Sequence, residues 1–178
     1  MTNVKYIRRS GAKIMASLIT LLGSLAYIMI LAVINGSVGF IVAMGVTLMG
    51  AVGIAKSLGE AIPLSYGAII ALTIGFGVLR GFLRYLEQYS NHYIAFKLLA
   101  VLRDKIFRAL RILCPAKLES KQKGAIISMI TADIETLEVF YAHTISPICI
   151  AIIVSTCVTL FVGFTVNWYL ALIALLGY

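Results

Sequence analysis

The sequence predicts an all-α protein that crosses a membrane several times, and three observations carry that expectation. Hydrophobic residues make up 61% and charged residues 12% of the 178 positions, whereas soluble domains average about 45–50% apolar and about 25% charged. Mean hydropathy is +1.02. The apolar residues gather into runs, Ile14 to Ala55, Ala61 to Leu79 and Thr144 to Leu176, each long enough for a helical crossing of about 20 residues.

The chain opens with a basic lead, Lys5, Arg8, Arg9 and Lys13. Residues 1–23 are expected to lie in the cytoplasm and then along the interface as an elbow. The apolar run after Lys13 far exceeds the h-region of a cleavable signal peptide, so it stays in the membrane. No charged residue occurs from Ile14 to Ala55. Extended as one helix, that run reaches roughly 60 Å, about twice the hydrocarbon core. It is either an elbow followed by a single span over 24–56, or a hairpin turning at Asn35-Gly36-Ser37. Charge decides between them. A hairpin puts Arg80, Arg84, Lys97, Arg103, Lys105, Arg108, Arg111, Lys117, Lys121 and Lys123 outside, against the positive-inside rule. The single crossing keeps those cations beside the basic N-terminus and is favoured. Within it, Ala32-xxx-Gly36 and Gly39-xxx-Ala43 are spacings that let helices approach closely.

A short external connection, Lys56 to Ile62, leads to a helix expected over 63–111, with Pro63 in its first turn. Its apolar part ends at Leu79, yet no Gly or Pro interrupts the chain between Phe82 and Cys114. Arg80, Arg84, Glu87 and Asn91 recur at steps of four, three and four and so share one helical face. The helix outruns the bilayer and needs other helices to cover its remaining apolar residues. Cys114-Pro115 ends it, because the residue before proline avoids the helical region. Residues 112–124 are the tip of the excursion, and a helix over 125–166 returns through the membrane past Pro147, which a membrane helix tolerates. Asn167-Trp168-Tyr169 reads as an interfacial turn. Residues 168–178 then begin a fourth span too short to cross, as in a chain cut within a longer protein.

Several functions are excluded or left unsupported. The net charge of +8 sits beside the spans, where topology signals sit, and does not indicate nucleic acid. Cys114, Cys149 and Cys157 show neither C-x-x-C nor zinc-ligand spacing and read as packing residues. No phosphate-binding G-x-x-x-x-G-K-[ST], no G-x-S-x-G and no H-E-x-x-H occurs, so this stretch carries no catalytic or metal site of its own. His92 is either a hydrogen-bonded interfacial histidine or an axial ligand or proton-handling group. His143 reads as an interfacial anchor.

The stretch Lys123-Gly-Ala-Ile-Ile-Ser-Met-Ile-Thr-Ala-Asp-Ile-Glu135, following a span that runs on as a long helix, resembles the first intracellular loop of type I ABC exporters. Gly124, Ile126, Ile127, Ser128, Ile130, Asp133 and Ile134 match that family's pattern; Met129 stands where an Arg is usual, and Ala125 where an acidic residue is. Arg84-Tyr-Leu-Glu87, His92, Ala95-Phe96, Leu102-Arg103, Leu113-x-Pro115-Ala116 and Thr144-x-Ser146-Pro147 are similar to the CydC-type subunits of thiol-reductant exporters.

The resemblance implies exporter-type transmembrane helices with long cytoplasmic extensions, part of a domain fused to an ATPase that supplies ATP and Mg binding. It further implies a homo- or heterodimer of half-transporters, multi-pass in the plasma or inner membrane with a cytoplasmic N-terminus. Pro115, Lys117, Leu118, Glu119, Lys121, Lys123 and Gly124 would form the coupling segment, with Ser128 and Asp133 in the loop motif and His92 as a possible haem ligand. A thiol or amino-acid-like cargo such as cysteine or glutathione is implied by the subgroup alone. The competing reading is a membrane scaffold or sensor whose cytoplasmic helical hairpin binds a partner protein.

Overall fold

The computed structural model describes residues 22–113 and 123–177, with Ser10, Ala16 and Thr20 besides. Five α-helices follow one another: α1 (Ala26–Ser57), α2 (Tyr66–Leu113), α3 (Lys123–Phe140), α4 (Ser146–Thr165) and α5 (Trp168–Leu176). A 3-10 turn, Gly23–Leu25, leads into α1, and a π-helical turn, Tyr141–Ile145, joins α3 to α4. Ala26–Ser57, Tyr66–Ile112 and Thr131–Thr165 are long and apolar enough to cross a membrane.

Asn35, Gly36 and Ser37 lie within the unbroken 32-residue helix α1, which rules out a hairpin there. A helix of that length measures about 48 Å and overruns the hydrocarbon core by about half its thickness. Its end is fixed by local chemistry. Gly59 takes φ +98°, donates its N–H to Lys56 O, and Glu60 N–H reaches back to Ala55 O. Those two bonds satisfy orphan carbonyls of the last turn, and the left-handed residue between them favours glycine. Lys56 Nζ then donates to Ile62 O at 2.8 Å and lies over the Tyr66 ring, tying both ends of the connection together.

Helix α2 begins at Tyr66, three residues beyond Pro63. Ser65 takes the capping role, its Oγ accepting from Ala68 N–H at 3.1 Å, so the proline stays in the connection. From there 48 residues run without a break. The coupling segment falls almost wholly outside the described residues: Pro115, Lys117, Leu118, Glu119 and Lys121 do so, and Lys123 and Gly124 open α3.

The packing of α1 on α2 is antiparallel and side by side, as four glycines record. Gly53 faces Ile69, Gly45 faces Phe76, Gly39 faces Arg80 and Leu83, and Gly36 faces Glu87. Each step up α1 is matched by a step back along α2. At the far end Leu22, Met29, Ile94, Ala95, Leu98, Tyr141 and Ala142 form one buried apolar cluster, where the π turn closes over α1 and α2. Helix α4 completes a three-helix crossing at Gly36, against which Ile150 packs. Most other large apolar side chains point outward, including Ile30, Ile34, Ile70, Ile74, Phe161 and Phe164, as expected of helices whose solvent is lipid.

At the other end of α4, Asn167 turns extended (φ −168°) and its side chain accepts from Tyr169 N–H at 2.8 Å. The cap starts α5 and brings the Trp168 ring onto Gly163.

The Gly36 crossing is tight enough that an added side chain would force Ile150 to shift. A Cβ there would strike Ile150 Cδ1 and lie 3.0 Å from Glu87 Cδ, whereas Gly50 on the same helix has open space around it. Gly36→Ala is expected to lose about 1–3 kcal/mol through overpacking, offset by about 1 kcal/mol of helix propensity, and so to destabilise the folded bundle by up to about 2 kcal/mol. Gly50→Ala should be neutral or stabilising, as the loss of a helical glycine usually is. Thermal unfolding of the two variants in detergent checks the contrast, and equal behaviour would contradict the close crossing.

Candidate functional site

Polar side chains converge where α1, α2 and α4 cross. Glu87 is 1% exposed, although it is a carboxylate on a predominantly apolar bundle. Arg84, one turn earlier, places Nη1 2.8 Å from Glu87 Oε1 and 2.9 Å from Oε2. The i,i+3 spacing makes that contact possible along one helix face. A buried carboxylate costs several kcal/mol unless it is paired and hydrogen-bonded, and Arg84 supplies the pairing while its own side chain stays about half exposed. One turn back toward the start of α2, the Arg80 guanidinium lies 4.5 Å from the centroid of the Phe40 ring. Its Nη1 is buried against Gly39. Cation–π attraction is strongest where the cation is desolvated, as this one partly is.

One turn further along α2 from Glu87, Asn91 is fully buried, and both polar atoms of its amide lack a partner. Ser146 on α4 is equally buried, with its Oγ unpartnered, and Ser37 Oγ on α1 is in the same condition. Glu87 and Ile150 both approach Gly36, and Asn91 and Ser146 lie one turn from them along α2 and α4. The sequence spacing Arg80, Arg84, Glu87, Asn91 picks out the α2 face. It does not reveal that the face turns inward, because charged residues beyond an apolar run read as solvated. The available signal was the Ala32-xxx-Gly36 and Gly39-xxx-Ala43 pattern on α1, which marks where a second helix can come close.

A second group of polar residues sits on the neighbouring flank. The His92 ring stacks on Phe96 at 5.8 Å between centroids and meets the His143 ring edge-on at 5.3 Å. His92 Nδ1 lies 4.0 Å from Glu138 Oε1, too far for a direct hydrogen bond but close enough for charge to act. The two histidines that the sequence presents separately are thus neighbours, one from α2 and one from the π turn. No cluster of three or more His, Cys, Asp or Glu able to hold a metal ion occurs among the described residues. Ser128 and Asp133, from the sequence motif, are exposed on α3. Cys149 is half-buried and Cys157 exposed, both unpaired on α4.

Farther along α2 the surface is basic. A shallow groove is lined by Lys97, Asp104, Lys105 and Arg108 with Ala100 and Val101 between them. Arg108 Nη2 pairs with Asp104 at 2.9 Å, an exposed i,i+4 pair of the kind worth a few tenths of a kcal/mol.

Comparison with known proteins follows the same outline. The family described as ABC transporter transmembrane region matches residues 25–177. A probable ABC transporter ATP-binding/permease protein of Haemophilus influenzae is 45% identical over 172 residues, which cover 97% of this chain and 31% of that protein. The glutathione/L-cysteine transport system ATP-binding/permease protein CydC of Escherichia coli is 34% identical over 113 residues, 62% of this chain and 18% of that protein. The chain therefore spans less than a third of the length of either relative.

The asymmetry of the Arg84–Glu87 pair sets an expectation. Arg84→Ala strands a buried carboxylate and should cost about 2 kcal/mol or more. Adding Glu87→Gln should restore most of that loss, since a neutral amide leaves no charge in the crossing. Unfolding midpoints of the two variants and the wild type in detergent measure this. A double variant as unstable as Arg84→Ala alone would show that the carboxylate is not the strained group.

Proposed function

Because this chain belongs to the family of ABC transporter transmembrane regions, we propose that it forms membrane-crossing helices of an ATP-driven exporter. The observation that carries the proposal, within that match, is α2: 48 unbroken residues measure about 72 Å, more than twice the hydrocarbon core. A helix that only had to cross would stop far sooner. The length beyond the membrane has a use if a nucleotide-binding domain docks at its end and hydrolyses ATP with Mg there. In this reading the N-terminus and the 80–143 helices are cytoplasmic, in the plasma or inner membrane, and two half-transporters associate as a homo- or heterodimer.

Residues 115–124 form the coupling segment. Lys117, Lys121 and Lys123 would offer positive charge to the ATPase surface, and Pro115, Leu118, Glu119 and Gly124 complete the segment. Ser128 and Asp133 begin the return. Movement of the docked domain then passes along α2 and α3 to the polar crossing and from there to the spans.

The cargo class is a small thiol or amino-acid-like molecule. What supports this is the name of the Escherichia coli relative, a glutathione/L-cysteine transport system protein, at 34% identity over 113 residues. A haem at His92 belongs to the same reading. The side chain of His92 is part-exposed while its Nδ1 is buried facing Glu138, so its other nitrogen, Nε2, would be the atom to hold such a group. A haem supplies a redox-active iron when bound. His92 would hold it, and Phe96, stacked on the ring, would fix the orientation of the imidazole.

Two measurements on the full-length protein test these readings separately. Reversing the charge at Lys117, Lys121 and Lys123 to Glu should leave membrane insertion intact and ATP hydrolysis measurable, while cysteine or glutathione transport into inverted vesicles falls at least tenfold. Wild-type coupling in that variant rejects the docking role. Titration with haemin should give a Soret band in the wild type that is lost in His92→Ala, and the same spectrum from both proteins removes His92 as the ligand.

A further inference from the structure

The turn Tyr141–Ile145 is the one π-helical segment among the described residues, and its cause lies just beyond it. Pro147 has no N–H to give to the carbonyl of His143 four residues back, and its ring crowds that carbonyl. The wider π turn opens the backbone there and lets the helix continue as α4. The path from α3 into α4 is thus helical throughout yet weakest at one known place.

Two buried polar side chains lie close to that place along their helices. Glu87 on α2 and Ile150 on α4 both meet Gly36. Asn91 lies one turn along α2 from Glu87, and Ser146 one turn back along α4 from Ile150. Because α2 and α4 run in opposite directions past Gly36, Asn91 and Ser146 come to the same level, immediately after the π turn. Both are fully buried, and neither side chain has a hydrogen-bond partner. A buried amide and hydroxyl left unpaired each cost about 1–3 kcal/mol, so an arrangement that joins them is favoured over one that does not.

We propose that Tyr141–Pro147 is a pivot on which α3 moves relative to α4, and that its second position is held by a hydrogen bond between Asn91 and Ser146. Movement needs only the π turn to change its register. The apolar contacts of Tyr141 and Ala142 with Ile94, Ala95 and Leu98 keep the segment seated on α2 while it does so. The flanking helices stay rigid, so motion of α3 reaches the membrane through this one segment. The inference stands on this chain's own geometry, whatever domain drives α3.

Amide hydrogen exchange of the intact protein in lipid nanodiscs tests it. The amides of residues 141–146 should exchange at least tenfold faster than those of 150–156 in the same path. Pro147→Ala restores the missing donor and should slow 141–146 by tenfold or more. Asn91→Leu, with the same branching and no hydrogen-bonding group, removes the partner that holds the second position and should slow the segment as well. Slow exchange of 141–146 in the wild type overturns the pivot. Unchanged exchange in Pro147→Ala removes its proposed cause, and unchanged exchange in Asn91→Leu overturns the Asn91–Ser146 bond.

Discussion

The buried carboxylate of Glu87 is the constraint around which the bundle is arranged. A charge at that depth demands a partner, and Arg84 on the same helix provides it at 2.8 and 2.9 Å. Its burial also requires α1 and α4 to close on α2 without side chains in the way. Gly36 meets that requirement. From this one crossing the antiparallel register of α1 on α2 follows, and with it the levels of Gly39 on Arg80 and of Met29 near Ile94. A buried ion pair adds little net stability compared with apolar packing. A role in specificity is the expectation, since a one-residue slip of α1 along α2 would turn the side chain of Asn35 or Ser37 toward the carboxylate.

Much of the architecture was legible in the sequence because hydropathy in a membrane chain is a strong signal. The ten cations after Leu79 favour one helix over a hairpin in the first run, and the helix is unbroken through Asn35-Gly36-Ser37. The long second helix is visible as the absence of Gly and Pro between Phe82 and Cys114. The start of that helix differs by three residues, because Ser65 caps better than Pro63 begins.

The polar crossing was not legible, for a physical reason. Along one helix, Arg80, Arg84, Glu87 and Asn91 form a stripe, and a polar stripe next to an apolar span looks solvated. Whether it faces water or a neighbour depends on residues about fifty positions away on α1 and about sixty on α4. Ser37 and Ser146 are anonymous in sequence for the same reason. His92 and His143 looked unrelated at a separation of about fifty residues, and only the return path through α3 sets their rings 5.3 Å apart.

The unbroken length of α2 has a mechanical consequence. About 26 residues separate the Glu87 crossing from the far end of the helix, a reach of about 40 Å. With the Glu87 crossing as fulcrum, a tilt of about 10° displaces that end by about 7 Å, and a push at the end returns to the crossing as a small, forceful rotation. The helix has the proportions of a lever arm, with the shorter side running from Tyr66 to the crossing. The same geometry makes tight packing at Gly36 worth more than its area suggests, because play at a fulcrum is multiplied by the length of the arm.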